Sequence, residues 1–460
     1  MQCKMENIIN KDIVVIGAGL TGLTTAYYLS RAGKDVMLMD KEKRCGGAIQ
    51  TLNEGGFLFE AGPNTGVLSS PELVSLFDDM KGKCRAQIAN PEAKKRWILK
   101  NGRWRALPSG PLSAIATPLF SWKDKFRILA EPFRKPSSDP MESVAGLVKR
   151  RMGTSYLHYA VDPFIAGIYA GDPEKLVTRY AMPKLYNLEQ NYGSFIRGAI
   201  KKRKEPKSEI EQRATREVFS VEGGIDRLIE ALSHSIPQEQ ILLNCLQSSV
   251  TPERKGFRVV IHHASGEKIT IRCNHVVTTS GGFSLPFLLP FIREEEMEAI
   301  ASLEYARVAQ VAVGFNRWNG IKLDAFGGLV PSLEKRNILG ILFPSAIFQG
   351  RAPEGGALLS VFIGGMRNPE VYAKDDETLK AIAIHEIRNT LQCTNAPDLV
   401  KIFRYPFAIP QYGADSLRRL AAIERIERDF PGLILAGNIR DGIGMADRVK
   451  QGRKIADSLI

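Results

Sequence analysis

The sequence predicts an α/β protein, because its first segments read as a strand, a glycine-rich turn, a helix and a second strand. A continuous apolar run over residues 12–16 is typical of a buried parallel strand, and residues 21–32 have the pattern of a helix that ends at Gly33. A second apolar strand covers residues 35–40. Near the other end of the chain, the apolar segment 433–438 leads into a loop and a closing helix.

The turn after the first strand carries three glycines at the G-x-G-x-x-G spacing of dinucleotide-binding units. Gly17 allows a tight turn, Gly19 lets the backbone approach a pyrophosphate, and Gly22 lets the helix pack closely on the strand. The start of the helix, with Leu20 and Thr21, then faces the phosphates. With both strands and the helix in place, the motif predicts a dinucleotide site rather than a structural turn.

NAD and FAD share this fingerprint, and the segment after the second strand favours FAD. Asp40 ends that strand, where an acidic side chain is expected to meet a ribose hydroxyl. The Arg-x-Gly-Gly run that follows is not required by a nicotinamide domain, and it resembles flavoproteins of the monoamine oxidase and phytoene desaturase group. In that group the C-terminal strand and helix complete the flavin site. The resemblance implies non-covalent FAD held also by Lys41, Arg44, Gly46, Gly47, Gly62, Pro63, Asn64, Gly437 and Asn438.

Composition limits the other classes of function. The chain has 460 residues, of which 44% are hydrophobic and 25% charged, as expected for a globular protein of two or three substructures without a transmembrane run. Six scattered cysteines, at 3, 45, 84, 245, 273 and 393, predict neither a metal site nor a dithiol site. No secretory signal is recognised, so a cytoplasmic location is expected.

The formal charge of +13 has one dense source, the run Lys201–Lys204 with Lys207. A solvated polar loop is the expected setting for this run. An anionic membrane surface or substrate is the next interpretation, and nucleic acid is not expected as a partner because no aromatic-rich binding module accompanies the run.

The pattern of elements predicts three substructures. Residues 1–90, 215–285 and 430–460 are expected to form one discontinuous, Rossmann-like FAD-binding domain. Residues 91–200, with helical patterns interrupted by prolines, are expected to form a mainly helical insertion. Residues 295–425 alternate strands with a helix near 376–391 and are expected to form an α+β substrate-binding domain.

Eight longer segments carry a more specific resemblance over nearly the whole chain. They are EAGPNTG (60–66), KRWILKNGRWRALPSGPLS (95–113), VDPFIAGIYAGDPEKL (161–176), YNLEQNYGSFIRGAI (186–200), FGGLVP (326–331), LGILFPSAIF (339–348), RAP (351–353) and GNIRDGIGMADRVKQG (437–452). Together they resemble the oxygen-dependent, FAD-containing protoporphyrinogen IX oxidases, the plant mitochondrial members above all. Gln50 departs from the wider group, in which many members carry a basic residue after Gly-Gly.

The resemblance implies the oxidation of protoporphyrinogen IX to protoporphyrin IX by removal of six electrons. Each of three flavin cycles passes a hydride to the isoalloxazine and two electrons to oxygen, which yields hydrogen peroxide. Because the flavin carries the chemistry, no catalytic side chain is expected. The implied substrate-binding residues are a propionate anchor, three apolar walls and a turn whose backbone faces the pyrrole nitrogens: Arg96, Leu329, Leu342, Phe362, Gly167 and Tyr169.

Other interpretations stay open at this point. Arg96 lies among other basic residues, as a surface charge does, and the three apolar residues stand on strands where core packing is the usual role. Coproporphyrinogen III oxidation needs the same fold and chemistry. The glycine motifs alone also permit amine oxidation, carotenoid desaturation or a flavin-bound partner without turnover.

A last expectation concerns a membrane surface. The apolar segment 107–122 is followed by Lys123, Lys125 and Arg127, a combination that suits the interface of an anionic bilayer but also fits a subdomain core. The resemblance favours peripheral association with the inner face of the membrane. It also implies molecular oxygen, a second copy of the chain and ferrochelatase as partners.

Overall fold

The computed structural model of the chain describes residues 7–206 and 208–460, and two seven-stranded sheets organise them. Cys3 and Lys207 lie outside the described residues. The strands are β1 (Asn7–Ile16), β2 (Val36–Met39), β3 (Gln50–Glu54), β4 (Phe57–Ala61), β5 (Gly66–Val67), β6 (Ala86–Ile88), β7 (Lys95–Lys100), β8 (Arg103–Ala106), β9 (Val218–Val221), β10 (Ile241–Leu242), β11 (Cys245–Pro252), β12 (Phe257–His263), β13 (Lys268–Thr278), β14 (Tyr305–Phe315), β15 (Ala325–Leu329), β16 (Ile338–Leu342), β17 (Ala357–Gly364), β18 (Leu399–Pro410) and β19 (Leu433–Leu435).

Helices cover the sheets and fill the segment between residues 111 and 213. They are α1 (Leu20–Arg31), α2 (Pro71–Asp79), α3 (Pro111–Ala116), α4 (Trp122–Leu129), α5 (Val144–Arg151), α6 (Thr154–Tyr156), α7 (Asp162–Tyr169), α8 (Thr178–Ala181), α9 (Pro183–Tyr192), α10 (Phe195–Lys204), α11 (Glu209–Arg213), α12 (Asp226–Ser233), α13 (Leu285–Leu288), α14 (Glu294–Ala301), α15 (Pro344–Ile347), α16 (Pro369–Tyr372), α17 (Asp376–Leu391), α18 (Ser416–Asp429) and α19 (Met445–Leu459).

The first sheet contains the predicted strand–helix–strand unit. Its strand order is β10-β2-β1-β13-β12-β11, and β19 pairs with the end of β13. β1 runs parallel to β2 and β13, and β13 runs parallel to β19. Val15 packs under α1, α12 and α19, whereas Val14 and Ile16 pack under α13, α14 and α18. Burial on both faces explains the continuous apolar run of β1 and confirms the α/β fold class.

The second sheet has the order β18-β14-β17-β16-β15-β7-β8, and α17 packs on one of its faces. Two of its strands, β7 and β8, come from the segment 91–200, which the sequence predicts to be mainly helical. They are strands because Trp97 and Leu99 alternate into the core beneath α17 while Ile98 packs on the opposite face. Apart from the single 3-10 turn Pro91–Ala93, the segment is helical only from residue 111 onward.

The helical region corrects two further expectations. Lys201–Lys204 form the last turn of α10 rather than a loop, a position where positive charge complements the helix dipole. Leu119 and Phe120 of the apolar segment 107–122 are buried, and the Phe120 ring stacks on Tyr156 at 3.9 Å. Within the described residues, every helix is too short or too polar to cross a bilayer.

Candidate functional site

The glycine-rich turn after β1 is tight on one side and open on the other. Gly17 has a φ of +106°, and a side chain there would approach Thr279 Oγ1 to 2.4 Å. At Gly22 a Cβ atom would lie 1.8 Å from the carbonyl oxygen of Gly17. Gly19, in contrast, has no heavy atom within 4 Å of the Cβ position. The close approaches fix the turn against the helix, and the open face at Gly19 leaves room for a ligand.

The segment after β2 wraps against this open face. Asp40 accepts hydrogen bonds from the backbone N–H groups of Ala18 at 2.6 Å and Glu42 at 2.9 Å. Arg44 donates to the carbonyl oxygens of Cys45, Gly47 and Ile49. The Arg44 side chain therefore shapes the Gly46–Gly47 turn rather than pointing away from it.

The turn places Gly47 beside Gly19, with a Cβ position 3.5 Å from the Gly19 Cα atom. Two predicted contact residues direct their side chains elsewhere. The Lys41 side chain is 71% exposed, with its ammonium 3.8 Å from Glu42. Leu20 packs into the core, so only its backbone can face the turn.

The C-terminal strand and helix return to the same place. Gly437 donates its N–H to Gln451 Oε1 at 2.9 Å, and a side chain at Gly437 would meet the carbonyl of Thr279 at 2.5 Å. Thr21 donates its hydroxyl to the carbonyl of Arg448 at 3.2 Å, which joins the start of α1 to α19. The glycine turn, the Arg-x-Gly-Gly segment and residues 437–438 thus surround one opening.

Two tyrosines that the sequence did not single out hold Asn438. The Tyr412 hydroxyl donates to the backbone carbonyl of Asn438 at 2.8 Å, and the Tyr305 hydroxyl lies 3.3 Å from its side-chain oxygen. Burial raises the pKa of both phenols, so both stay protonated donors at neutral pH. An isolated tyrosine near a strand end gives no signal of such a contact.

The opening fits the FAD that the sequence predicts. The free face of Gly19 beside Gly47 admits a pyrophosphate, and the N-terminus of α1 supplies backbone donors for it. Burial and the charge of Asp40 raise the pKa of the Cys45 thiol to about 11, so this nearby cysteine is a protonated, poor nucleophile. No group of three metal-ligating side chains occurs within residues 7–206 and 208–460.

One face of the second sheet brings four of the predicted substrate residues together. Directly paired residues project from the same face of a sheet. Arg96 is paired with Gly327, Gly327 with Leu342, and Leu342 with Ser360. In the neighbouring row, Ile98 is paired with Leu329, and Phe362 is paired with Gly340 and Gln310. Arg96, Leu329, Leu342 and Phe362 therefore share a surface.

This surface, which we call the apolar floor, is defined by Leu329, Leu342 and Phe362. All three are partly exposed, although neighbouring residues of the same strands, such as Ile341 and Val361, are buried on the opposite face. Helix α7 covers one side of the floor, since a Cβ atom at Gly167 would lie 2.6 Å from Leu329 Cδ2. The floor is thus an open apolar face beside a helix.

Two further apolar residues on α7 have exposed side chains, and sequence reasoning did not single them out. Phe164 is 40% exposed and Ile168 is 42% exposed. They are one turn apart and flank Gly167 on the helix. The i, i+4 apolar pair was visible in the sequence, but its exposure depends on how α7 packs on the sheet.

Arg96 stands at the edge of the floor with its charge unpaired. Its side chain is exposed, and its guanidinium lies 5.4 Å from the centre of the Phe326 ring. Phe326 lies where the pairing of β15 with β7 shifts register, and such irregularities commonly redirect side chains. None of the described carboxylates forms a salt bridge with Arg96, so the N–H donors of its guanidinium are available to an anionic group.

The Tyr169 side chain lies away from the floor, and the predicted role of the Gly167–Tyr169 backbone stays a prediction. This side chain is buried in the helical region, where the hydroxyl donates to the carbonyl of Ala181 at 2.6 Å. The Tyr169 carbonyl accepts from Gln411 Nε2 at 2.9 Å. The reason is the helical period, because Tyr169 follows Gly167 by two residues in α7 and so projects from roughly the opposite side of the helix.

Comparison with known proteins identifies the family. The model of the flavin containing amine oxidoreductase family matches residues 20–460. The chain belongs to this family. The mitochondrial protoporphyrinogen oxidase of Nicotiana tabacum is 31% identical, with 98% of this chain and 95% of the relative covered. The coproporphyrinogen III oxidase of Bacillus subtilis (strain 168) is 22% identical, with 98% of each chain covered.

The solved structures agree on the fold. The crystal structure of a protein from Exiguobacterium sp. 255-15 is similar to the structure of this chain, with a TM-score of 0.80 and 24% sequence identity. The match covers 97% of this chain and 98% of that one. The resemblance predicted from the sequence is confirmed. The chain is a flavoprotein oxidoreductase with FAD as its cofactor.

Proposed function

We propose that this oxidoreductase oxidises protoporphyrinogen IX to protoporphyrin IX, with molecular oxygen as the electron acceptor. The observation that carries the proposal is Arg96, which has no carboxylate partner among the described residues and stands at the edge of the partly exposed apolar floor. A porphyrinogen is a broad apolar macrocycle with propionate groups, so it needs an apolar face and a cation at one edge. Relatives named as protoporphyrinogen oxidases cover nearly the whole chain and support the same substrate.

In this proposal FAD supplies the hydride acceptor, and the chain supplies binding and orientation. Arg96 binds one propionate through a charge-assisted, bidentate pair of hydrogen bonds. The apolar floor and the exposed face of α7 enclose the macrocycle and exclude water from it. Because Gly167 has no side chain, the α7 backbone lies close to Leu329, and α7 therefore stays next to the apolar floor.

Coproporphyrinogen III is the second candidate substrate, because a second exposed arginine on this edge of the sheet serves either porphyrinogen. Arg105 of β8 is paired with Ile98, so it projects from the same face of the sheet as Arg96, and it is exposed. Two cations on this edge could meet two propionates of either porphyrinogen. The relatives named as coproporphyrinogen III oxidases support this alternative.

A turnover comparison tests the proposal. We expect FAD-loaded protein to convert protoporphyrinogen IX to the fluorescent porphyrin faster than coproporphyrinogen III, with three molecules of hydrogen peroxide formed per porphyrin. Acid denaturation is expected to release the FAD. Faster turnover of coproporphyrinogen III would reverse the substrate assignment, and no turnover of either by FAD-loaded protein would overturn the proposed function.

We also infer peripheral binding to a membrane through one exposed surface of the helical region. The large side chains of this surface are 38–84% exposed: Leu112, Ile115, Trp122, Phe126, Leu129, Phe133, Ile196 and Ile200. Exposed basic residues of α10, Arg197 and Lys201–Lys204, lie beside them, with Arg197 over the Phe133 ring at 5.6 Å. We call this set the apolar–basic surface.

The basic residues that the sequence assigned to the membrane interface are placed differently. Lys125 donates to the carbonyls of Ile115 and Thr117, and Arg127 donates to those of Lys149 and Arg150. Lys123 alone of the three is exposed. The cations of α10 therefore replace Lys125 and Arg127 as the proposed contacts to anionic headgroups.

The domain roles follow from these proposals. The predicted segments 7–90, 215–285 and 430–460 form the FAD-binding unit together with α14 and α18, which pack on the first sheet. The rest of the predicted segment 295–425 forms the substrate-binding unit with β7 and β8, and the helices up to residue 200 form the membrane-facing unit. We place the protein at the inner face of a membrane on the cytoplasmic side. Contacts with a second copy of the chain and with ferrochelatase stay predictions from the resemblance.

A further inference from the structure

A set of buried polar side chains joins the second sheet to the predicted cofactor segment Gly62–Asn64. Gln310 is 1% exposed, Ser360 0%, Glu60 4% and Arg351 2%. Polar and charged side chains are rarely buried so completely unless every donor and acceptor has a use. We call these four residues the polar bridge.

Gln310 holds the backbone of the cofactor segment at two points. Its Nε2 donates to the carbonyl of Glu60 at 2.7 Å, and its Oε1 accepts from the N–H of Gly62 at 3.2 Å. A carbonyl can only accept and a backbone N–H can only donate, so both contacts fix the same orientation of the amide. Gln310 thus pairs with residues 60–62 as a neighbouring strand would.

Ser360 fixes the side chain of Asn64. Its hydroxyl donates to Asn64 Oδ1 at 2.8 Å, while Asn64 Nδ2 donates to the carbonyl of Gly62 at 3.0 Å. The second hydrogen of Nδ2 has no acceptor within the described parts of the chain. Because Ser360 is paired with Leu342 and lies two residues from Phe362, the Asn64 amide sits where the cofactor segment meets the apolar floor.

Glu60 and Arg351 keep this arrangement rigid. Glu60 accepts from Arg351 at 2.8 Å, from the N–H of Ile225 at 3.2 Å and from the hydroxyl of Thr51 at 2.6 Å. Arg351 also donates to Ser220. Both oxygens of Glu60 and both terminal nitrogens of Arg351 are engaged, so the bridge connects the second sheet to the β3–β4 hairpin and to β9 without an unpaired buried charge.

From this geometry we propose that Gln310 and Ser360 are positioning residues that hold the Asn64 amide with its free N–H at the boundary between flavin and substrate. A donor fixed in advance acts without the cost of reorienting when it is needed. The identity of that boundary rests on the proposed function. The buried contacts themselves are independent of the substrate.

The test uses FAD alone and removes one hydroxyl. Ser360→Ala frees the Asn64 amide, so we expect the visible absorption bands of bound FAD to shift and the Kd for FAD to rise about tenfold, the effect of about one hydrogen bond. Ser360→Thr keeps the hydroxyl and is expected to restore the wild-type spectrum and Kd. Ser345→Ala is the matched control, because Ser345 bonds to Leu358 of the same strand, β17, but not to residues 60–64.

Gln310→Met is a second variant of similar length that removes both backbone contacts, and at least the same rise in Kd is expected. If Ser360→Ala keeps the wild-type spectrum and Kd, or if Ser345→Ala changes them equally, the positioning role is wrong. No porphyrinogen enters these measurements. An inactive enzyme with a shifted flavin spectrum would therefore contradict the proposed function alone.

Discussion

Arg96 is the single residue on which the proposed substrate depends most directly. In Arg96→Ala the charge-assisted contact to a propionate is lost, which is expected to cost about 1.5–3 kcal/mol of binding. We therefore expect KM for protoporphyrinogen IX to rise about 10- to 100-fold while kcat changes little. Steady-state kinetics with FAD content measured in parallel provide the test.

Two companion variants separate this effect from a general loss of charge. Arg96→Lys keeps the charge but not the planar fork, so an intermediate KM is expected. Arg103→Ala removes an exposed arginine of the neighbouring edge strand β8, where it is paired with Lys100 at the far end of β7, and is expected to leave KM unchanged. Wild-type KM in Arg96→Ala would place the propionate site elsewhere.

At this scale the sequence predicted positions better than side-chain directions. The resemblance assigned Arg96, Leu329, Leu342 and Phe362 to one substrate site, and the structure has them on one face of the second sheet, although their role stays a prediction. The resemblance could not show that the Tyr169 side chain is buried in the helical region, because that depends on how α7 packs against residues distant in the sequence.

Sequence reasoning also missed the polar bridge, although two of its residues are visible in the sequence as polar interruptions of apolar strands. Gln310 interrupts the apolar run of YARVAQVAVGF and Ser360 that of ALLSVFIG. A lone polar residue in a buried strand needs a partner, but the partner's identity is set by contacts between residues far apart in the chain.

Among the elements, α17 and the unit of β1, α1 and β2 match the sequence prediction closely, because local periodicity and caps determine them. The pair β7–β8 does not, because its place beside β15 is a contact across more than 200 residues that no local pattern encodes. The prolines after β8 favoured a helical interpretation of the whole segment.

Helices α5, α9 and α10 meet at a buried ion cluster formed by Glu131, Arg151 and Glu189. Arg151 is 0% exposed and donates to Glu131 at 2.6 Å and to Glu189 at 2.5 Å. Glu131 also accepts from the Ser194 hydroxyl and from the N–H groups of Phe195 and Ile196, which caps α10. The cluster therefore sets the position of α10 in the apolar–basic surface.

The cluster predicts a loss of stability in acid. Burial alone would raise the pKa of Glu131, but the Ser194 hydroxyl, the two backbone donors and Arg151 outweigh it and lower that pKa below the usual 4.5. A lowered pKa in the folded state stabilises the fold above about pH 4.5, and this stability is lost as the pH falls through the folded value. Urea unfolding followed by tryptophan fluorescence at pH 7 and pH 3.5 measures it.

Glu131→Gln isolates this contribution. At pH 7 the variant is expected to lose about 3–5 kcal/mol of unfolding free energy, because Arg151 loses one partner of a buried pair. The difference from wild type should shrink at pH 3.5. Glu209→Gln, at an exposed position of α11, is expected to stay within about 0.5 kcal/mol of wild type. An equal gap between Glu131→Gln and wild type at both pH values would contradict the assignment.

For the whole molecule, the uneven placement of exposed apolar groups is the main feature. Trp122, Phe126 and Phe133 are 62–82% exposed on the helical region, next to the basic end of α10. Large exposed apolar patches beside cations mark sites of interaction, and the formal charge of +13 favours an anionic surface. A poorly soluble macrocycle could then reach the site from a bilayer.

Flotation with liposomes tests this arrangement. We expect the FAD-loaded protein to bind vesicles that contain anionic lipid more strongly than neutral vesicles, and salt to weaken the binding. Trp122→Ser/Phe126→Ser removes two exposed rings and is expected to reduce binding at least tenfold. Leu119 and Phe120 are unsuitable targets for this test because both are buried.

Two further variants test separately whether vesicle binding depends on the charge of α10 and on the position of the exposed aromatic rings. Lys201→Glu/Lys202→Glu, at the basic end of α10, is expected to abolish the preference for anionic vesicles, since each lysine near such a surface contributes about 1 kcal/mol. Phe287→Ser removes a ring that is 82% exposed on α13, outside the apolar–basic surface, and should leave binding unchanged. If Phe287→Ser weakens vesicle binding as much as Trp122→Ser/Phe126→Ser does, the binding is nonspecific and does not occur through the helical region.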